Sequence, residues 1–375
     1  MGPPARRVHT LRSVSVTPEE APPRAVLAAW SFEEATVRPI RTGLINRTFA
    51  VERDGKRFIL QRLHPVFAAD VNLDIEAVTA RLERSGVTTP RPVPTRDGAL
   101  WVESPDGVWR ALTFLDGDIV TTVSGAGVAR EAGRLVARFH RALTGFDHRF
   151  RFSRPGAHDT PRHLAHLRQT VSGGRDHARF AEVRPVAERI LALGDALPPL
   201  GDLPRRIVHG DLKITNILFS SGLERAVALI DLDTLAWGTV AVELGDALRS
   251  WCNAAGEDEP AARFEPGIFE AAVQGYAVDA GGLLEEREIG AIAPGLETIA
   301  LELAARFCAD ALEESYFGWD PERFASRGEH NLVRARSQLS LAQAVGTQRE
   351  PLQRIVEEAF GRAPRPDASP HQGRD

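Results

Sequence analysis

Lysine is almost missing from this chain of 375 residues: of 46 Lys and Arg side chains, only Lys56 and Lys213 are lysine. Cysteine is as scarce, with Cys252 and Cys308 alone, which excludes a disulfide-stapled scaffold and a zinc site built on cysteine spacing. Both thiols sit in apolar, helix-like surroundings and are expected as buried small hydrophobes, with a disulfide the less favoured alternative. No apolar run approaches the roughly 18–20 residues that span a bilayer, and no apolar N-terminal segment has the form of a signal peptide. The cytoplasm is the default compartment, and no membrane partner is expected. A net charge of −5 gives no basic surface for a nucleic acid. No internal repeat is visible, which excludes a solenoid.

What is present is an ordinary globular composition, 43% hydrophobic and 26% charged. The length suits two domains or one large two-lobed one. Residues 1–24 and 361–375 are rich in proline, arginine or polar residues without periodicity, and read as mobile ends. From 25 to 115 the pattern predicts a short helix at 25–30, then strands around 37–40, 48–52, 57–63, 100–102 and 109–115. Asp54-Gly55 supplies the hairpin turn between two of them. Ile75, Val78 and Leu82 are spaced as one face of a helix that ends near Gly86. From 116 to 360 the pattern turns helical, with helices expected over 128–143, 161–171, 180–196, 266–278, 295–315 and 330–345. The fold class is therefore α+β: a small antiparallel sheet carrying one helix, joined to a larger helical part, with a ligand cleft between them.

Inside the helical part lies Ile207-Val208-His209-Gly210-Asp211-Leu212-Lys213-Ile214-Thr215-Asn216-Ile217-Leu218-Phe219, followed by Ala228-Leu229-Ile230-Asp231-Leu232-Asp233. Apolar strand-like runs flank two polar loops. Together the loops offer a carboxylate, a lysine and an amide, then two more carboxylates. Phosphoryl transfer from a magnesium-bound nucleotide needs one acid to orient a hydroxyl, plus an amide and an acid to hold the metal. Chance polar hairpins contain any one of these residues, but not the whole set in this order. No G-x-x-x-x-G-K-[ST] run is present, which excludes a P-loop enzyme. Nor is there an H-R-D, D-F-G or A-P-E sequence, which disfavours a eukaryotic-type protein kinase.

On His209-Gly210-Asp211, Asn216 and Ile230-Asp231, the chain resembles the aminoglycoside-phosphotransferase and choline-kinase-like family over roughly residues 37–345. The resemblance implies a protein-kinase-like two-lobed fold with a nucleotide-binding lobe over 25–115 and a catalytic lobe over 116–360. Phe58-Ile59-Leu60-Gln61-Arg62, His158-Asp159-Thr160-Pro161-Arg162, Asp231-Leu232-Asp233-Thr234, Tyr316-Phe317 and the 330–339 run resemble the N-acetylhexosamine 1-kinase branch more narrowly. That branch phosphorylates an amino sugar at its anomeric hydroxyl, so the acceptor implied is an amino sugar or related hexose, with ATP and Mg²⁺ as cofactors. An aminoglycoside, a choline-like amine or homoserine remains the alternative acceptor, and a nucleotide-binding pseudokinase the alternative class.

Candidate roles follow. Asp211 is the base or hydroxyl orienter, Lys213 a positive charge for the transferring phosphate or a solvent-facing loop residue. His209 is read as shaping the loop, with direct catalysis the alternative. Asn216 and Asp231 are the expected metal ligands. Asp233 is open between a second metal, the sugar and a turn cap. In the nucleotide half, Gly43 and Asn46 stand where phosphates would be covered, or form a plain turn. The strand lysine that would hold the α- and β-phosphates is missing. Gln61 occupies its aligned position and Arg62 carries the charge, but only one of the two can face the cleft. Glu76 is the candidate ion-pair partner on the helix, or a solvated acid. Thr113, Phe114 and Leu115 form the linker expected to hold adenine, with core packing the alternative for the apolar pair. For the acceptor, Arg306, Tyr316, Trp319 and His158 are the candidate wall. Arg306 has an alternative ion pair with Glu302, and Asp159 or Thr160 an alternative as helix caps. Asp246 and Arg249 are read as braces of the catalytic loop, and Glu257, Asp258 and Glu259 as a solvated loop.

Overall fold

Alternating apolar residues around the Asp54-Gly55 turn form a hairpin in the computed structural model, which describes residues 7–8, 21–40 and 46–362. After β1 (Arg7–Val8), α1 (Arg24–Ala29) and β2 (Thr36–Ile40), that hairpin is β3 (Arg47–Arg53) and β4 (Lys56–Arg62). Asp54 and Gly55 both adopt positive φ, 51° and 71°, the conformation a two-residue hairpin turn needs. The helix α2 (Val71–Arg84) follows, then β5 (Pro92–Val93), β6 (Val102–Ser104) and β7 (Gly107–Thr113). An all-antiparallel sheet runs in the order β2-β3-β4-β7-β5, with β6 paired to β7. Its inward residues Phe49, Val51, Leu60, Trp109 and Ala111 close a small core with Val26, Trp30 and Phe32.

The remaining elements build the larger lobe. They are β8 (Asp118–Val120), α3 (Ala126–Ala142), α4 (Thr160–Gly173), α5 (Phe180–Gly194), β9 (Arg206–Val208), β10 (Ile217–Phe219), β11 (Ala226–Leu229) and β12 (Ala236–Gly238). There follow α6 (Val240–Trp251), α7 (Pro266–Ala280), α8 (Glu286–Gly290), α9 (Ile292–Glu313), α10 (Arg327–Gly346) and α11 (Arg349–Arg362). Among the described residues this is a small sheet lobe beside a mainly helical one, as the sequence pattern predicts. Cys252 and Cys308 are buried and free, not bridged.

Three features depart from the expectation. Arg7–Val8 is a strand rather than part of a mobile arm: it pairs antiparallel with β8, which in turn pairs with β10. Residues 1–6, 9–20 and 363–375, the rest of the expected mobile ends apart from the segments at 21–24 and 361–362, lie outside the described residues. A two-residue strand carries too little pattern to be seen in sequence. The second departure is α2. It lies in the sheet lobe's sequence, yet Val71, Ile75, Val78 and Leu82 are part of the larger lobe's core. Burying each such side chain contributes roughly 1.5–3 kcal/mol. Its Asp74 is buried and accepts from the backbone N–H groups of Arg151 and Phe152 and pairs with His148 at 2.9 Å. The helix is therefore rooted in both lobes. The third is α6, which sequence reading left unassigned, as it did α11, whose last two residues are helical where a mobile tail from 361 is expected. The α6 helix crosses α9 at close range, because Gly245 and Gly295 stand where any Cβ would meet backbone: at 2.5 Å from Gly295 O and 2.2 Å from Ala241 O respectively.

Candidate active site

Strand pairing brings the two polar loops together. The β9 strand enters the first loop and β12 leaves the second, and the two pair with Val208 opposite Ala236. The strand after the first loop, β10, pairs with the strand before the second, β11, with Ile217 opposite Leu229. Residues 209–216 and 230–235 are thus held side by side at both ends. Gly210 is required at the crossing: its φ is 80°, and a Cβ there would lie 2.5 Å from Thr234 O. Thr234 Oγ1 also donates to His209 O at 2.8 Å.

His209 is fully buried, and both ring nitrogens are committed. Its Nε2 lies 2.9 Å from Ile230 O and its Nδ1 accepts from the Asp211 N–H at 3.3 Å. Its ring therefore ties the first loop to the residue preceding Asp231. Asp211 Oδ2 accepts from Lys213 Nζ at 2.9 Å and from Asn216 Nδ2 at 3.1 Å. Burial works against the charge of Lys213, but Asp211 and Asp231 outweigh it and push its pKa up to about 12, so the lysine stays cationic.

The helix α6 braces this loop from below. Glu243 accepts from the N–H groups of His209 and Gly210 at 2.6 and 2.9 Å. Burial raises the Glu243 pKa, but the His140 ring 3.5 Å away, then His209 and the Gly210 amide, more than offset it and hold the carboxyl below its usual range. Asp246 accepts from Leu212 N at 3.0 Å while paired to Arg249 at 2.8 Å. Trp251 Nε1 donates to Leu212 O at 2.9 Å, and Ser250 Oγ accepts from Ile214 N. Four loop amides, those of His209, Gly210, Leu212 and Ile214, and one carbonyl are fixed by a single helix, which includes the expected braces Asp246 and Arg249.

Asp231 differs from its neighbours. Its backbone is left-handed, with φ 64° and ψ 58°, a strained conformation for a non-glycine residue. Among the described residues no side chain or backbone group hydrogen-bonds its carboxylate. Burial, and then Asp233 and Asp211, push its pKa up to about 6. Asn216 spends its Nδ2 on Asp211 O and Oδ2, which leaves its Oδ1 uncommitted. A carboxylate short of countercharge beside a free amide oxygen suits a hard divalent cation whose remaining positions go to water and phosphate. No cluster of three His, Cys, Asp or Glu side chains able to cage a metal exists among the described residues.

Asp233 is not available to such a cation. Its Oδ1 accepts from Arg110 Nη1 at 2.5 Å, and its Oδ2 from Arg110 Nη2 at 2.9 Å and Asn46 Nδ2 at 2.7 Å. The expectation of a second metal ligand is corrected by this saturation. Asn46 is committed too, since its Oδ1 accepts from His64 N at 2.9 Å. Its side chain fastens the base of the loop instead of facing phosphates; Gly43 lies outside the described residues. Gln61 faces inward and accepts from Arg110 Nε and Nη2 at 3.0 and 2.7 Å. Arg62 is turned the other way, 3.6 Å from Asp106. Glu76 pairs with Arg91 at 2.9 Å rather than with the strand, because Arg91 reaches back over the end of α2. The linker candidates are half-buried: Thr113 Oγ1 accepts from Arg91 N, and Arg57 stacks over Phe114 at 4.3 Å, while Leu115 follows just beyond β7.

On the other side of Asp211 opens a cavity of about 1800 Å³, lined among others by Lys213, His158, Arg306, Tyr316 and Phe317. At its edge His158 lies 3.0 Å from Glu302, which also accepts from Thr160 Oγ1 and sits 3.8 Å from Arg306. Burial lowers the His158 pKa, but Glu302 and then Asp246 outweigh it and hold the imidazole above its usual range. Asp159 instead caps α4, accepting from Arg162 N. Asp310 gathers the backbone N–H groups of Ser315, Tyr316 and Phe317 and so aims these rings at Arg306. Trp319 is not among the residues that line the cavity, although Gly318, whose carbonyl accepts from Arg334 at 2.8 Å, is. The acids at 257–259 are not merely solvated. Glu257 pairs with Arg249, Asp258 with His330 and Arg334, and Glu259 with Arg323.

Sequence reading missed Arg110, Glu243 and Asp310. Each is a charged residue buried among apolar neighbours, Arg110 in an expected strand, Asp310 in an expected helix and Glu243 in the unassigned α6. That placement was the one available signal, because Lys, Arg, Asp and Glu are almost never buried unless paired.

Comparison with known proteins agrees with this geometry. The chain is 31% identical over 194 residues to a homoserine kinase of Gluconobacter oxydans, a match covering 51% of this chain and 56% of that protein. It is 26% identical over 237 residues to a homoserine kinase of Sinorhizobium medicae, covering 60% and 67%. The first match thus spans little more than half of the relative's length. An aminopropanol kinase associated with a microcompartment superposes with a TM-score of 0.59 at 19% identity, covering 87% of this chain and 97% of that one. A choline kinase of Cryptosporidium parvum does so with 0.56 at 15%, covering 88% and 94%. These establish the two-lobed kinase-like fold. The model of the phosphotransferase enzyme family that includes the aminoglycoside enzymes matches residues 36–281, both polar loops included, and the chain belongs to that family.

Proposed function

We propose that the protein is an ATP- and Mg²⁺-dependent kinase that phosphorylates a hydroxyl of a neutral polyhydroxylated acceptor, most specifically the anomeric hydroxyl of an N-acetylhexosamine or related hexose. The observation that carries this reading is the state of the acids around the acceptor cavity. Asp211, Asp246, Glu257 and Glu302 each have a cationic partner within the protein. A polycationic antibiotic needs several spare carboxylates, and among the described residues that line the cavity, Asp147 and Asp159 are the only acids that lack an ion pair. A pyranose needs hydrogen-bonding edges and an aromatic face, which His158, Arg306, Tyr316 and Phe317 offer.

In this reading Asp211 accepts a hydrogen bond from the acceptor hydroxyl and takes its proton as the new O–P bond forms. The bond between the γ-phosphorus and the β,γ-bridging oxygen breaks, and ADP leaves. An anomeric hydroxyl is more acidic than an ordinary alcohol, so positioning matters more than basicity. Lys213, kept charged, balances negative charge on the transferring group. Asn216 and Asp231 would hold the magnesium ion, which supplies charge neutralisation to the phosphates when bound.

Homoserine is the second reading, favoured by the names of the curated relatives. An acceptor panel of hexoses, N-acetylhexosamines, homoserine, choline and an aminoglycoside, with ATP and Mg²⁺, decides between them. The expected result is the highest kcat/KM for a hexose or N-acetylhexosamine. A higher value for homoserine would replace the sugar reading while leaving the site assignments intact.

A further inference from the structure

Protein kinases hold the nucleotide phosphates with a strand lysine paired to a helix glutamate. Here the strand position is Gln61, and the helix acid Glu76 is occupied by Arg91. The charge pair is found one strand away. Arg110 on β7 stands directly opposite Gln61 in the strand register, and its guanidinium is among the most completely buried charges of the protein, at 2% side-chain exposure against 1% for Asp233. Every part of it is engaged: Nε and Nη2 with Gln61, Nη1 and Nη2 with Asp233, and Nη1 3.4 Å from Asn72 of α2.

We infer that the Arg110–Asp233 pair is the relocated interlobe ion pair of this kinase, and that Arg110 is a positioning residue for the bound nucleotide. The two partners come from different lobes, and Asp233 lies two residues after the metal-binding candidate Asp231. Asn46, which closes the stretch where phosphates would be covered, donates to the same carboxylate. Asn72 brings α2 to the same point, so the helix keeps its contact with the pair through an amide. One carboxylate therefore joins β7, β3 through the adjoining Asn46, and the loop after β11, with α2 reaching the same guanidinium through Asn72. Gln61 is the right residue beside it, because its amide oxygen accepts two donors from Arg110, whereas a lysine would set a like charge against the guanidinium.

The inference rests on the kinase reading but not on the identity of the acceptor, so its test uses nucleotide binding alone. Titration calorimetry of MgATP into the full chain is compared for the parent, Arg110→Lys, the double variant Arg110→Met/Asp233→Leu, and Asn46→Ala, with melting temperatures alongside. Replacing both charges by apolar groups removes the penalty of an orphaned charge. The double variant is therefore expected to melt near the parent yet bind MgATP at least tenfold more weakly. Arg110→Lys is expected to retain more affinity than the double variant, and Asn46→Ala to lose several-fold. A double variant that folds and binds MgATP within twofold of the parent overturns the inference and makes the pair purely structural. If the double variant fails to fold, Asn46→Ala decides: a several-fold loss supports the inference, and unchanged affinity overturns it. A parent that does not bind MgATP would instead sink the kinase reading itself.

Discussion

The two halves of the site are built differently. On the metal and acceptor side, Asp211, Lys213, Asn216 and Asp231 lie together in the two polar loops, and one helix fixes the backbone of the first. On the nucleotide side, nearly every residue that sequence alignment nominates is engaged elsewhere: Arg62 with Asp106, Glu76 with Arg91, Asn46 with Asp233. Local chemistry is written in a short motif and survives. A charge pair formed across a sheet is free to move one strand over, since the cross-strand neighbour occupies nearly the same place.

The sharpest test of the acceptor half is Asp211→Asn. It keeps size and packing but removes the proton acceptor, and kcat is expected to fall by about 10³-fold or more with little change in melting temperature. Steady-state kinetics with the preferred acceptor checks it, and a loss below tenfold would remove Asp211 from proton transfer. In the nucleotide half, Arg110→Met alone strands the buried Asp233. Denaturant unfolding should show a loss of about 3–5 kcal/mol, in contrast to the double variant.

Smaller effects separate support from chemistry. Glu243→Gln leaves one of two buried loop amides without an acceptor, for a cost of about 1–3 kcal/mol and a measurable drop in kcat. The acceptor wall should respond to pH through His158. Its pKa is raised above 6.5 in the folded protein, so its pairing with Glu302 stabilises the wall fully below about pH 6.5 and is lost as pH rises through the raised value. The acceptor KM is expected to climb over that window, and His158→Gln to flatten the profile; an unchanged profile would detach His158 from acceptor binding. Smallest of all, Arg62→Ala should leave the KM for ATP within twofold, because this arginine faces Asp106. A tenfold rise would return Arg62 to the phosphate site.

These contrasts also show what a sequence can carry. The period of Ala132, Leu135, Val136 and Phe139 was enough for α3, and Asp54-Gly55 for the hairpin, because those signals are local. The role of α6 was half visible, through Asp246 and Arg249, but its bond from Glu243 to the His209 and Gly210 amides depends on a contact across more than thirty residues. Arg110 was hidden in an arginine-rich chain, where one guanidinium looks like any other until its burial is known. Trp319 had the right composition for a sugar wall, yet Phe317, whose N–H is held by Asp310 across seven residues, lines the cavity and Trp319 does not.

The central claim is that residues 209–216 and 230–235 transfer a phosphoryl group to an acceptor hydroxyl lying between Asp211 and the His158–Arg306 wall. Phosphorus NMR of the product formed from ATP, Mg²⁺ and an N-acetylhexosamine tests it most directly. The account predicts a phosphate coupled to the anomeric proton, formed by the parent and not by Asp211→Asn. A phosphate on any other carbon, or turnover of homoserine alone, would overturn the anomeric acceptor, and equal product from Asp211→Asn would contradict the claim itself.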